Sequence, residues 1–167
     1  MAFKDRLREA CDASGKTRRE LCQALGRVGE SAIWDYFSGR AKPSISTIAI
    51  LANETDTSID WLAGLSNSKE ITNRLDFANH DEYAPQFKDR LKIARKNAGI
   101  TQLDVANHVG VKDDSGYRPY EAGKRTPNIH LAARMADRLN VSLDWLCGLS
   151  GDTLIHDRIP LDIENEE

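Results

Sequence analysis

The chain has 167 residues, of which 40% are hydrophobic and 29% are charged. This composition supports a buried core and excludes a disordered chain, and the apolar runs are too short to span a membrane. The three cysteines lack the spacing of a zinc site or of a disulfide framework, so no metal is expected. The net charge of −3 predicts no strong attraction of the whole chain for polyanions. The first residues lack an apolar secretory signal, so we expect a soluble, cytoplasmic protein.

An internal repeat organises the chain. Residues 3–66 align with residues 87–150 at a constant offset of 84 without a gap, and 23 of the 64 aligned pairs are identical. Self-similarity at a fixed period is the signature of a duplicated structural unit. The sequence therefore predicts a first domain over 1–66, a linker over 67–86, a second domain over 87–150 and an acidic tail over 151–167.

The first repeat opens with signals for two helices. Phe3, Leu7 and Ala10 form an apolar stripe at helical spacing, and Gly15 ends this helix. Thr17, with an acid three residues later, predicts the N-cap of a second helix. The second repeat carries the same signals 84 residues further on.

Three more helices complete each repeat. The third ends before Gly39, the fourth carries an apolar stripe that begins at Ile45, and Ser58 caps the fifth. No segment alternates clearly enough to require a strand. The predicted fold class is therefore all-α, with two tandem five-helix domains.

The linker and the tail carry weaker patterns. Ile71, Leu75 and Ala78 share one helical face, so part of the linker is expected to be helical, with a break at Ala84–Pro85. In the tail, apolar residues alternate with polar residues or proline over 159–163. This pattern leaves two readings open, an extended arm that docks on a partner and a disordered acidic end.

Four motifs of the second repeat resemble the λ-repressor-like (Cro/cI, XRE-type) helix-turn-helix family. They are Thr101–Ala106, Val109–Val111, Tyr120–Pro127 and Val141–Leu146. The first repeat resembles the same family less closely, which gives two tandem copies in one chain. The resemblance implies that the third helix of each domain enters the major groove of double-stranded DNA. Pairing in this family often uses helices four and five, which leaves open a homodimer or a single chain that acts as a covalent pseudo-dimer.

The resemblance also implies site residues. The first turns of the third helices are expected to face base edges, at Glu30, Ser31, Trp34 and Asp35 in the first repeat and at Asp114, Ser115 and Arg118 in the second. Phosphate contacts are expected from the start of the second helix and from the loop after the third, at Arg18, Arg19, Arg40, Lys42, Gln102, Lys124 and Arg125. An acid at the start of a helix also favours the helix dipole, so base reading and a structural role both remain open for Glu30.

The expected reading helices differ more than the rest of the repeat. Over 27–37 and 111–121 only 2 of 11 pairs are identical, compared with 21 of 53 elsewhere. The scaffold is thus alike while the reading surface differs, which indicates unlike half-sites or unlike roles.

A coupled exchange predicts one contact. Arg95 and Glu121 match family positions that pair between helices one and three, and the first repeat has Cys11 and Phe37 there. Removing one member of a buried ion pair strands a charge, whereas replacing both with apolar groups can be neutral. The side chains at these two positions are therefore expected to touch.

Pro119 interrupts the third helix of the second repeat. A proline inside a helix removes a hydrogen bond, so we expect this helix to start late, near Gly116, and to be shortened or bent. On this basis the second repeat is expected to read sequence less faithfully, mainly gripping phosphate or mediating pairing.

The negative charge is concentrated outside the repeats. Residues 67–86 and 151–167 carry net charges of −2 and −5, whereas residues 87–150 carry +4. The leading hypothesis is a sequence-specific DNA-binding transcriptional regulator, a repressor of the prophage or mobile-element type that acts by occupying its operator. The alternative is an antitoxin or other protein-binding module, whose protein partner would bind the tail or linker. Scattered histidines and the lack of a phosphate-binding glycine loop argue against an enzyme and against a cofactor.

Overall fold

A computed structural model describes residues 2–26, 30–75 and 83–161, and these residues form ten α-helices. Module 1 contains α1 (Phe3–Ala13), α2 (Arg18–Ala24), α3 (Glu30–Ser38), α4 (Ile45–Thr55) and α5 (Ile59–Ala63). Module 2 contains α6 (Tyr83–Asn97), α7 (Gln102–Val109), α8 (Asp114–Glu121), α9 (Ile129–Leu139) and α10 (Leu143–Leu146). The predicted fold class, two tandem all-α domains of five helices, is confirmed.

Local side-chain hydrogen bonds mark where α2 and α7 begin. Thr17 accepts a bond from the backbone of Glu20, whose carboxylate accepts a bond from the Thr17 amide at 2.7 Å. Thr101 and Asp104 form the same capping box at the start of α7. The helix starts expected at these threonines are confirmed, and each such cap is worth about 1 kcal/mol.

Each module is built on an apolar core to which the repeat contributes equivalent side chains. Leu7 of α1 and Leu91 of α6 are fully buried at the same place in the two modules. Trp61 is only 5% exposed. The Arg6 guanidinium lies 5.1 Å from its ring centroid and donates to its carbonyl at 2.6 Å. Trp61 therefore closes the domain as a core residue.

The coupled exchange marks a contact between the first and third helices. The guanidinium of Arg95 donates to the two carboxylate oxygens of Glu121 at 2.5 and 3.1 Å, and both side chains are largely buried. Cys11 and Phe37 are buried in the core at the equivalent positions. The predicted contact between Arg95 and Glu121 is confirmed.

Pro119 lies well inside α8. This helix begins at Asp114, equivalent to the start of α3 at Glu30, because the Asp113 side chain accepts bonds from the two amides that follow Asp114. The expected late start near Gly116 is therefore wrong. The helix has eight residues and α3 has nine, so the shortening amounts to one residue at the C-terminal end.

The two modules pack against each other through α4 and α5 of module 1 and α6, α9 and α10 of module 2. The Ile45 amide donates to the carbonyl of Pro127 at 2.9 Å, and the Ile129 amide donates to the carbonyl of Pro43 at 3.1 Å. These two bonds exchange places when the offset of 84 is applied, so the interface is self-complementary.

The segments after α5 and α10 cross to the opposite module. We call residues 67–75 the first strap and residues 151–161 the second strap. The Leu75 amide of the first strap donates to the carbonyl of Leu149 at 2.9 Å, and the Ile159 amide of the second strap donates to that of Leu65 at 2.8 Å. The structural repeat therefore continues beyond residues 66 and 150 to the ends of the straps.

The straps correct two expectations for the linker. Residues 71–75 form a turn and an isolated bridge in place of the expected helix, and Ala78 lies outside the described residues. Ala84 and Pro85 do not break a helix, because both lie in the first turn of α6. A first turn tolerates proline, since its amide would lack a partner within the helix in any case.

The tail is an extended segment that docks within the chain as far as Leu161. Its acidic end, which includes Ile163 of the alternating pattern, lies outside the described residues. Within the described ranges, no helix is both long and apolar enough to cross a lipid bilayer.

Candidate nucleic-acid interface

One face of α3 is exposed and the other is anchored in the core. Ile33 and Phe37 are buried, whereas Ser31 is exposed, Trp34 is 52% exposed and Asp35 is partly exposed. Glu30 begins the helix, but its side chain lies outside the described residues. The helical period thus places Ser31 and Trp34 on the outer face of α3, and base reading by them stays a prediction.

Trp34 is held in place by the neighbouring helix. The guanidinium carbon of Arg18, the first residue of α2, lies 3.7 Å from the centroid of the indole ring. A cation stacked on a tryptophan face at an exposed site gains about 0.5–1 kcal/mol. The contact joins an expected phosphate-binding residue to an expected base-reading residue on one surface.

The corresponding face of α8 presents polar and charged groups. Arg118 is exposed and donates to Asp114 at 2.5 Å, one helical turn earlier. Ser115 is exposed, and its hydroxyl donates to Asp113, the N-cap residue. Surface ion pairs of this kind contribute 0–1 kcal/mol, so Arg118 can exchange Asp114 for another acceptor at little cost.

The Asp113 carboxylate adds a negative charge at the start of α8. The hydroxyl of Ser115 and two backbone amides hold the pKa of Asp113 below its usual range. The acids Asp113 and Asp114 thus compete with a phosphate for the N-terminus of this helix.

Cationic side chains lie in the loops that follow α3 and α8. Four expected phosphate-binding residues are exposed there: Arg40, Lys42, Lys124 and Arg125. Arg40 also approaches Asp35 at 3.6 Å.

Sequence reasoning missed two further cations beside these loops. The stem of Lys4 lies against Gly39, and the stem of Lys88 lies so close to Gly123 that a Cβ there would meet it at 2.7 Å. Both glycines also adopt a positive φ, +76° and +70°, which disfavours other residues. Both lysines stand in a pentapeptide that is identical in the two repeats, Phe3–Leu7 and Phe87–Leu91. This identity is the sequence signal that points to them.

The first residues of α2 and α7 have different surroundings. Arg18 and Arg19 are exposed, as a phosphate contact requires. The side-chain amide of Gln102 donates to Glu121 at 2.9 Å. Gln102 therefore helps to satisfy a buried carboxylate.

Two of the cysteine thiols are buried and held protonated. Burial first, and the charge of Asp12 second, raise the pKa of Cys11 to about 12, and burial raises the pKa of the Cys147 thiol as well. Thiols held protonated are poor nucleophiles and poor metal ligands. Among the described residues, no three side chains of the metal-binding types cluster together.

Two exposed helices with cationic flanks on duplicated five-helix modules define a helix-turn-helix protein. The family model described as helix-turn-helix matches residues 7–62 and again residues 91–146. The chain belongs to this family and contains two tandem copies of its domain.

The relatives found among curated proteins carry names of transcriptional regulators. The chain is 36% identical over 63 residues to the cryptic phage CTXphi transcriptional repressor RstR of Vibrio cholerae, covering 38% of this chain and 55% of the relative. It is 33% identical over 72 residues to the uncharacterized HTH-type transcriptional regulator YqaE of Bacillus subtilis, covering 42% and 61%. It is 35% identical over 60 residues to the SPbeta prophage-derived uncharacterized HTH-type transcriptional regulator YonR of Bacillus subtilis, covering 36% and 55%.

The chain thus spans between 55% and 61% of the length of these relatives. No solved structure matches the chain significantly.

Proposed function

We propose that this protein is a sequence-specific DNA-binding transcriptional regulator, and a repressor of the phage type that acts by occupying its operator. Two findings support the proposal: both modules belong to the helix-turn-helix family, and the relatives above are named as a phage repressor or as HTH-type transcriptional regulators. A helix of this family placed in the major groove at a promoter would block polymerase.

The observation that carries the proposal is the exposed face of α3. Ser31 and Trp34 project from a helix whose opposite face is fixed by Ile33 and Phe37, so a partner meets a rigid, preorganised surface. A serine hydroxyl bonds to base edges of either type, and the indole offers apolar contact to a thymine methyl. Arg118 on α8 is suited to donate two bonds to a guanine.

Phosphate contacts would position these helices. Cations stand before and after each reading helix. Those of module 1 are exposed: Lys4, Arg18, Arg19, Arg40 and Lys42. In module 2, Lys124 and Arg125 are exposed and Lys88 is half-buried. Each neutralised phosphate steepens the loss of affinity with salt, because bound counterions are released. The modest number of cations suits a protein whose affinity depends on base contacts.

The test is selection of bound DNA from a random pool at a fixed salt concentration, followed by binding titrations on the enriched sequence. Ser31→Ala combined with Trp34→Ala is expected to reduce specific affinity about tenfold or more while leaving non-specific binding in place. Asn67→Ala combined with Leu154→Ala is the matched control, since both residues are exposed and lie outside the helices.

Absence of any enriched sequence would contradict the proposal. That result would favour the alternative function, an antitoxin or other protein-binding module.

A further inference from the structure

We propose that a single copy of this chain binds a bipartite operator whose two half-sites are inverted and different in sequence. The inference rests on the proposed function and adds the form of the DNA site and the stoichiometry. Its basis is the interface between the modules together with the unlike outer faces of α3 and α8.

The contacts between the modules obey a twofold relation. A twofold interface is recognised when residue i contacts residue j of the other unit and j contacts i in return. The backbone bonds from Ile45 to Pro127 and from Ile129 to Pro43 form one such reciprocal set, and the strap bonds from Leu75 and Ile159 form a second. The modules are therefore arranged as the two halves of a symmetric dimer joined in one chain.

A third reciprocal set lies in the buried centre of the interface. Asp144 accepts bonds from the Ser58 hydroxyl at 2.6 Å and from the Ile59 amide at 2.7 Å, at the start of α5. Asp60 accepts bonds of the same lengths from the Ser142 hydroxyl and from the backbone amide that follows it, at the start of α10. Each module thus completes the helix cap of the other.

These contacts hold the two reading helices in a fixed relation. Ile59 and Leu143, the first residues of α5 and α10, are fully buried, and each strap adds a backbone bond to the opposite module. The surface formed by α4, α5, α9 and α10 is therefore used inside the chain. A second copy is not required to create a pair of reading helices.

The twofold relation sets the orientation of the half-sites. B-DNA has local twofold axes perpendicular to its own axis, so two reading helices related by a twofold read the two strands in inverted order. When both helices enter the major groove on one face, the half-site centres lie about one turn apart, roughly 10 bp.

The reading faces break the symmetry. Trp34 on α3 occupies the position of Arg118 on α8, and Asp35 occupies the position of Pro119. An indole favours a thymine methyl, whereas a guanidinium favours the acceptor pair of guanine. A perfectly palindromic site can suit only one of the two modules. The start of α8 in register with α3 also removes the geometric reason to expect weaker base reading by module 2.

The experiment uses the full-length protein and the DNA site enriched by selection. The enriched motif is expected to contain two inverted, unlike half-sites, and native mass spectrometry is expected to show one chain per DNA duplex. Two palindromic duplexes, each built from two copies of one half-site, are expected to bind about tenfold more weakly or worse, since each mismatched base pair costs affinity.

A variant tests the assignment of the half-sites. Trp34→Arg gives α3 the side chain that α8 has at that position, with an acid four residues before it in both helices (Glu30 and Asp114). This variant is expected to shift preference towards the palindrome of the module 2 half-site. Arg118→Trp is the reciprocal control and is expected to shift preference towards the other palindrome.

The outcomes separate the two proposals. Specific binding to a palindrome by two chains, to a single half-site, or to direct repeats would overturn this inference and leave the proposed function intact. Absence of any specific binding would overturn both. Two unlike inverted half-sites with one chain bound would support the inference, even if the variants failed to fold.

Discussion

At the scale of single residues, Asp60 and Asp144 decide how the modules are joined. Both carboxyls are 4% exposed and both cap a helix of the opposite module. Burial raises the pKa of Asp60, and burial together with the nearby Asp60 carboxylate raises the pKa of Asp144 to about 8. Two carboxyls at such a site share protons as a unit, so their titrations are coupled.

The pair predicts that stability falls as the pH rises. An unfolded aspartate has a pKa of about 3.9, so between about pH 4 and pH 8 the folded protein binds more protons than the unfolded chain. The free energy of unfolding should therefore decrease across this range. Asp60→Asn removes one ionising group and is expected to flatten this dependence, measured as the urea midpoint at pH 5, 6.5 and 8.

Asp12→Asn is the matched control, because Asp12 is an exposed carboxyl outside the interface. A pH dependence in Asp60→Asn as steep as in the unmodified protein would refute the role given to the buried pair.

Arg95 and Glu121 form a buried ion pair within module 2. Burial opposes the ionisation of Glu121, but hydrogen bonds from Arg95 and Gln102 outweigh it and hold the pKa of that carboxyl below its usual range. The charged form of Glu121 is thus stabilised by its hydrogen-bond donors, and the charge of Arg95 is stabilised by Glu121 in return.

This contact predicts non-additive mutations. Arg95→Cys alone should destabilise the protein by about 3–5 kcal/mol, since it leaves a buried carboxylate without its cation. The double variant with Glu121→Phe, which copies the pair found in module 1, should be more stable than the single variant. Urea unfolding of the single and double variants measures this, and a double variant less stable than Arg95→Cys alone would contradict the account.

These two contacts differ in how far the sequence predicts them. The exchange of Arg95 and Glu121 for Cys11 and Phe37 shows as a paired change between repeats, so the contact is predictable without a structure. The bonds of Asp60 are not predictable in this way, because an Asp-Trp-Leu motif has the same pattern whether its aspartate caps its own helix or that of the other module.

At the scale of elements, the capping threonines and serines, the C-terminal glycines and the apolar stripes predict that ten helices exist, but not where α6 and α8 begin. These signals are local, and local side-chain bonds cap the starts of α2 and α7. The same local signals do not predict the straps. Residues 71–75 satisfy a helical apolar pattern, but their backbone bonds go to residues far along the chain, and such long-range partners leave no local signal.

Pro119 shows how a cap outweighs a helix breaker. Asp113 starts α8 in register with α3, so the proline occupies the sixth position of the helix and removes one backbone bond. Pro119→Ala restores the donor and is expected to stabilise the protein by about 1–3 kcal/mol. Asp35→Pro, at the equivalent position of α3, is expected to have the opposite effect. Thermal and urea unfolding report both, and a destabilised Pro119→Ala would show that α8 is adapted to the proline.

At the scale of the whole molecule, the duplication is close to symmetric but not identical. The ring of His130 on α9 packs edge-on against Phe3, with centroids 5.8 Å apart. Ser46 takes the place of His130 on α4, and a cavity of about 30 Å³ opens there, lined in part by Phe87. The two sides of the interface therefore have unlike contacts, whereas the bonds of Asp60 and Asp144 and the backbone bonds between the modules remain reciprocal. In the same way, the outer faces of α3 and α8 differ although the modules share one fold.

The joined modules are expected to unfold as one cooperative unit. Each repeat alone has about the size at which a single core is marginally stable, and the capping bonds of Asp60 and Asp144 are made only when both modules are folded. A mutation confined to module 2 should therefore lower the stability of module 1 as well.

Two reporter backgrounds separate the fluorescence signals of the modules, one that keeps Trp61 as the single tryptophan and one that keeps Trp145. Glu121→Ala, introduced into both, is expected to shift the urea midpoint of the two fluorescence transitions equally, whereas a Trp61 transition that stays in place would show that module 1 folds independently of its partner.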